Sequence, residues 1–521
     1  MANITLWKKN ESIALVKCDD GIAHELSEYF SFFVPGYKYM KMYKIKVWDG
    51  KIRLFNLQTR ELPAGLYPFV VEFCKRNNYT IETESNEFGS LLDTDKIKPK
   101  DLNEFIKSLN LRNNGQAIEV RDYQFDAIAK ALDINRCVLL SPTGSGKSLI
   151  IYVLTQYYHA MLNDDRYPMK ALIIVPTTSL VEQMYDDFKN YGLDVEKECH
   201  RIYSGRDKDN IQASIVISTW QSIYKLDVEW YEQFGIVIGD ECHGFKSKSL
   251  TEIMTKCVNA KYRYGTTGTL DNAQVHHLVL QGLFGKIHRV TTTRKLQDNN
   301  TLADLDINIL VLKYDESIRK AFGKQSYQDE IAWIVDNKAR NNFIRNLAVD
   351  QKGNTLVLFN FVEKHGKPLY ELIKDKAGDN RQVFYVSGEV ETSDRESIRK
   401  ITETREAIRG ITEKEKDAII VASLGTFSTG INIRNLHNII FASPSKSQIK
   451  VLQSIGRGLR KSDNGQVTTL YDISDDLHYK GHQNYAMLHS IERVKIYKKE
   501  KFKFKLIEVP IHGHQTLQVD N

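Results

Sequence analysis

The sequence predicts an α/β protein with two tandem parallel-sheet domains behind a small α+β N-terminal domain. Three observations carry this. Short, continuous apolar runs at 137–140, 171–175, 215–218 and 236–239 alternate with helical periodicity, as at 180–191, the pattern of strands buried on both faces. A second block repeats the alternation, with runs at 355–359, 383–386, 418–422, 438–441 and 467–471, without repeating the sequence itself. The length, 521 residues, suits three or four domains.

Residues 1–112 form the expected N-terminal domain, with helix-like stretches at 22–33 and 67–77 among short alternating strands. Trp48-Asp49-Gly50-Lys51 reads as a hairpin turn with Asp-Gly at its tip. The polar run 110–116 marks the boundary. Residues 113–297 form the first parallel-sheet domain, a linker-like stretch covers 291–306, and 298–521 form the second domain.

Composition narrows the setting. Apolar residues make up 42%, ordinary for a well-cored protein. No run approaches the roughly 18 apolar residues of a membrane span. The N-terminus lacks the pattern of a signal peptide, so the expected location is the cytoplasm. Six scattered cysteines without a C-x-x-C pair read as reduced thiols rather than a zinc site. Net charge is 72 − 66 = +6, and the cations concentrate in two stretches interleaved with aromatics, 36–53 and 493–505. In the first, Lys38, Lys41, Lys44 and Lys46 are candidates for gripping duplex phosphates.

Ser141-Pro142-Thr143-Gly144-Ser145-Gly146-Lys147-Ser148 follows one apolar run and opens a helical one, and it reads as a phosphate-binding loop. Glycines let backbone N–H groups wrap a triphosphate, Lys147 reaches the outer phosphates, and Ser148 ligates Mg²⁺. Ser141 stands where the strict pattern has glycine. Asp240-Glu241-Cys242-His243 follows the run 236–239. Asp240 is placed to hold Mg²⁺ and Glu241 to orient and deprotonate the attacking water.

With these motifs the chain resembles the superfamily 2 helicases and translocases over residues 120–475, and the RecA-like fold of both domains follows from that resemblance. Arg121-Asp122-Tyr123-Gln124 is similar to the family's adenine-reading motif: Gln124 would meet the adenine edge and Tyr123 or Arg121 would stack on the ring. Thr177 and Thr178, then Thr219, Trp220 and Gln221, stand at nucleic-acid-contact motifs. Thr267-Gly268-Thr269 occupies the position of the Ser-Ala-Thr motif with two departures.

In the second block Phe359-Asn360 and Ser387-Gly388 end two strands facing the tracked strand. Ser428, Thr429 and Gly430 belong to a glycine-bearing motif whose hydroxyls meet a phosphate and whose glycine allows close approach of the backbone, Gly430 toward the nucleotide. Gln453, Arg457 and Arg460 match Q-x-x-G-R-x-x-R. The resemblance makes Arg460 the arginine finger and Arg457 its γ-phosphate partner, with the reverse left open, and places ATP between the two domains.

The layout, including 36–54 and 62–66, is similar to the recombination helicases of the T-even phages. That implies ATP- and Mg²⁺-driven remodelling of branched or forked DNA: fork regression, Holliday-junction branch migration and displacement-loop unwinding. It further implies a monomer working with phage recombination proteins in the infected cell. An RNA helicase, a restriction motor and an ATP-gated clamp that does not translocate are the rival readings.

Overall fold

The computed structural model describes all residues except 1, 84–96, 114, 162–169, 204–206, 210, 271–273, 293–294, 297–304, 323–324, 387–414, 425–435, 444–466, 482 and 512–521. The chain divides into two compact units, Met1–Ser141 with Gly146–Thr291, and Thr292–Asn521 with Pro142–Ser145.

Two larger sheets, beside two-stranded ribbons, organise the first unit. The N-terminal one is mixed and four-stranded, in the order Glu61–Pro63, Ile13–Cys18, Ile4–Lys8, Ile81–Thr83. Ile4–Lys8 and Ile13–Cys18 pair antiparallel, with Leu6 opposite Val16. Their alternation sends Ile4, Leu6, Ala14 and Val16 inward against Leu26, Phe30 and Val70. The helix Asp20–Tyr29 starts where the Asp19 carboxylate accepts the Ile22 N–H, and the helix Tyr67–Asn77 ends at a left-handed Asn78.

The second sheet of this unit has seven strands, ordered Cys199–Ile202, Ile215–Thr219, Lys170–Val175, Phe234–Asp240, Tyr262–Thr267, Arg136–Leu140, Ile287–Arg289. Every pairing in it is parallel. Ala171, Ile173 and Val175 face one apolar layer, and Leu172 and Ile174 the other. Burial on both faces is why these strands read as unbroken apolar runs.

The hairpin between the first two N-terminal strands is stitched to the parallel sheet. Glu11 N–H donates to Val258 O at 3.0 Å, and Arg136, at the start of its strand, donates to Glu11 O at 2.8 Å. Arg263, 1% exposed, donates to Ser12 Oγ at 2.7 Å. A Cβ on Gly65 would lie 2.2 Å from Gln281 O, so the backbones meet directly there.

The second unit carries another seven-stranded, all-parallel sheet, ordered Val383–Val386, Ile419–Ser423, Thr355–Phe359, Asn438–Phe441, Thr468–Asp476, Leu305–Lys313, Lys503–Pro510. Lys503–Pro510 is an exposed edge strand whose lysines deter edge-to-edge pairing.

Two local expectations are corrected. The first helix stops at Tyr29, and Ser31–Phe33 is instead a strand paired with Lys51–Arg53. The turn before Lys51 exists, with Asp49 Oδ1 accepting the Lys51 N–H at 3.1 Å. Its N-terminal flank, however, coils into the short helices Tyr37–Tyr39 and Lys41–Lys44 instead of a strand. Aromatic packing decides this: Tyr37 stacks on Phe33 at 4.6 Å and meets Tyr43 edge-on at 4.8 Å. A Cβ on Gly50 would lie 2.4 Å from the Tyr37 ring.

Candidate nucleotide and nucleic-acid site

Strand order assembles the candidate site. Phe234–Asp240, Tyr262–Thr267 and Arg136–Leu140 are neighbours, so the acidic pair, the threonines and the phosphate loop leave the sheet side by side at its C-terminal edge. That edge is where open parallel sheets bind ligands. Ser141 N–H donates to Thr267 O at 2.9 Å, tying the loop to the threonine strand.

Gly144 and Gly146 take φ of +82° and +80°, the left-handed conformations that let successive N–H groups converge on an anion. A Cβ on Gly146 would lie 2.3 Å from Gln124 Nε2, the end of a side chain, so the loop packs closely on Gln124 while the positive φ is what favours glycine there. Gln124 is buried, and its Oε1 accepts the Arg121 N–H at 3.0 Å, tying down the start of the helix Asp122–Ile134. Arg121 Nη1 donates to Tyr123 Oη at 3.1 Å. The three residues expected at the adenine thus form one assembly, with Gln124 against Gly146.

Lys147 Nζ lies 3.9 Å from Glu241 Oε1. Thr266 Oγ1 donates to Asp240 Oδ1 at 2.7 Å, a partner that sequence reasoning missed although it adjoins Thr267. Thr267 Oγ1 lies 3.3 Å from Glu241 Oε2 and 3.0 Å from His243 Nδ1, which is itself 3.3 Å from Glu241 Oε2. Burial, reinforced by Glu241, pushes the Asp240 carboxyl up. Burial also opposes ionising Glu241, but Lys147, helped by His243 and Thr267, outweighs it and holds the acid down at about 2. Glu241 sits in the left-handed region, φ +48°, an arrangement that costs about 1–2 kcal/mol.

These groups fit Mg²⁺. Ser148 and Asp240 offer hard oxygen donors, and a divalent cation would relieve the repulsion between buried Asp240 and half-buried Glu241. Among the described residues no cluster of three or more His, Cys, Asp or Glu could hold a metal alone. A cation held mostly by phosphate oxygens and water needs only one or two protein ligands.

Thr177 precedes the helix Thr178–Tyr191 with its Oγ1 3.0 Å from Ser179 Oγ. Gln221 Nε2 donates to Pro176 O at 3.4 Å, which brings Thr177–Thr178 beside Thr219–Trp220 as one ledge. Thr219 itself is buried, its Oγ1 2.9 Å from Ser222 Oγ, while Gln221 is exposed. In the second unit Phe359 is a core residue stacked on Tyr385, so its side chain does not reach a ligand; the sheet is covered on both faces there. Asn360 and Phe361 beside it are exposed. Ser387, Gly388, Ser428, Thr429, Gly430, Gln453, Arg457 and Arg460 lie outside the described residues.

Away from the phosphate loop, Lys38, Lys41, Lys44 and Lys46 are all exposed. Lys38, Lys44 and Lys46 line a surface cavity of about 700 Å³ with Tyr43, Trp48 and Arg53.

Residues 3–84 match the family described as "DNA helicase UvsW, N-terminal". The "ATP-dependent DNA helicase uvsW" of Enterobacteria phage T4 is 36% identical over 508 residues, which cover 94% of this chain and 96% of the relative. The chain belongs to the UvsW family of DNA helicases. Other regions match broader groups: 117–272 the "Type III restriction enzyme, res subunit" and 339–462 the "Helicase conserved C-terminal domain". The crystal structure of T4 UvsW aligns over 98% of this chain and 100% of that one, with 33% identity and a TM-score of 0.50. A Type ISP restriction-modification enzyme, LlaBIII, bound to DNA shares the fold at 16% identity, with a TM-score of 0.54, over 84% of this chain and 34% of that one. In a UvsW-family chain, two all-parallel sheets behind a small mixed one are the expected architecture, and this chain has them.

Proposed function

We infer that this chain is an ATP-dependent DNA helicase that remodels branched or forked DNA during phage replication and recombination repair. The observation that carries the reading is the convergence of Lys147, the Asp240–Glu241 pair and the Thr266–Thr267 hydroxyls at one sheet edge. Lys147 and the loop N–H groups hold the triphosphate. Glu241, kept ionised, takes the proton of the attacking water and leans on His243 and Thr267 for orientation. Ser148 and Asp240 would hold Mg²⁺, which would supply positive charge to the phosphates. Arg457 and Arg460 supply the second cationic group. Thr267 touches both the acid and the loop strand, a short route by which loss of the γ-phosphate is felt beyond the site. ATP drives movement only through its better contacts with one of two states.

The N-terminal cations supply a second DNA contact outside the motor track, as a fork or junction requires. A monomer acting in the infected bacterial cell with phage recombination proteins completes the proposal.

The test compares ATPase stimulation by a DNA fork, single-stranded DNA and the RNA version of the same fork, followed by unwinding of each fork. The fork DNA should stimulate most and be unwound. Stimulation by RNA alone would overturn the DNA assignment. ATP-dependent binding without unwinding would leave an ATP-gated clamp.

A further inference from the structure

The hydroxyl of Ser148, the serine of the phosphate loop, lies 2.9 Å from the hydroxyl of Tyr191. Tyr191 is the last residue of the helix Thr178–Tyr191 and belongs to no nucleotide motif. A serine hydroxyl has one proton and two lone pairs. To ligate a cation it must turn a lone pair to the metal and send its proton elsewhere. The Tyr191 oxygen is placed to accept that proton.

The ring is held firmly. Tyr191 is 8% exposed, and its centroid lies 5.4 Å from that of Tyr152 on Lys147–Met161, the helix that begins with Lys147 and Ser148. Gly192, with φ +109°, ends the helix immediately after Tyr191 and fixes where it stops. Hydroxyl and acceptor are thus carried by two packed helices, so their separation does not depend on a loop.

We propose that Tyr191 is a positioning residue for the metal: it accepts the Ser148 proton and thereby aims the serine's lone pair at Mg²⁺. The inference rests on reading Ser148 as a metal ligand. Outer partners of metal ligands commonly carry about tenfold in metal affinity.

The experiment titrates Mn²⁺ into the full-length chain with ADP and follows free Mn²⁺ by electron paramagnetic resonance. Tyr191→Phe keeps the ring and its packing and deletes only the acceptor. Its Mn²⁺ affinity should fall about tenfold, while ADP affinity measured in EDTA stays at the wild-type value. Ser148→Ala should lose at least as much. Unchanged Mn²⁺ binding by Tyr191→Phe beside weakened binding by Ser148→Ala would overturn the tyrosine's role alone. Unchanged binding by both would overturn the metal reading of Ser148 and this inference with it. A parallel loss of ADP affinity in EDTA would show that Tyr191 only props up the fold, and would overturn the proposal as well.

Discussion

Two adjacent carboxylates, Asp240 buried and Glu241 half-buried beside one lysine, are pushed apart in acidity by their surroundings. Lys147 favours ionised Glu241, while burial and Glu241 itself disfavour ionised Asp240 until a cation arrives. That asymmetry suits a base next to a metal ligand. Lys147→Ala should abolish steady-state ATP hydrolysis, because the phosphate anchor and Glu241's counter-charge go together. Glu241→Gln should bind ATP and DNA yet hydrolyse at least about a hundredfold more slowly. Filter binding beside a phosphate-release assay checks both.

Another residue-scale prediction concerns pH. Burial, with Arg340 adding to it, holds His365 down at about 3. Its Nδ1 lies 2.9 Å from Ser443 Oγ. Between pH 6.5 and 3 the unfolded chain binds a proton that the folded one refuses, so stability falls as pH drops through that window. His365→Gln should reduce proton uptake on unfolding at pH 5 by about one. Denaturant melts across pH 4.5–7 measure this.

At the scale of elements, the N-terminal hairpin is wired to the starts of two strands whose far ends carry the phosphate loop and the threonines. Arg136 and Arg263 are both buried there, and Glu11 is the acid beside Arg136, at 3.3 Å. Burial, with Arg136 adding to it, pushes the Arg263 guanidinium down to about 10. Glu11→Ala removes an acid partner from a buried guanidinium and should destabilise the first unit by about 2 kcal/mol. Urea melts of the full chain provide the test; an unchanged midpoint would make the hairpin a passive neighbour. The second unit uses the same device internally. Arg340 meets Asp475 and Arg493 meets Asp472, each pair fully buried at 2.7 Å.

At the scale of the whole molecule, one chain carries a nucleotide site and a separate cationic, aromatic lobe. Lys38, Lys41 and Lys44 are exposed, and Lys38 and Lys44 line one cavity with Tyr43 and Trp48. Replacing the three lysines by alanine should weaken fork binding and lower the slope of log K against log salt by up to about 3. ATP hydrolysis without DNA should be unaffected. Fluorescence anisotropy from 50 to 200 mM salt reads the slope, and an unchanged slope would make the lobe a solvated face.

Much was legible in residue order alone. The apolar runs located the strands because both faces of each sheet are covered, and the loop and acidic motifs stood out because phosphate chemistry demands particular residues in sequence. The family too was readable from 36–54 and from the motif series. Other features depended on residues far apart in the chain. Thr266 reaches Asp240, and Tyr191 reaches Ser148, only because strands and helices set them side by side. The coiled form of 37–44 and the loss of Phe359 to the core were likewise decided by packing. Local pattern states which residues can do chemistry. Which hydroxyl faces which acid is a matter of through-space distance, and only the folded chain sets it.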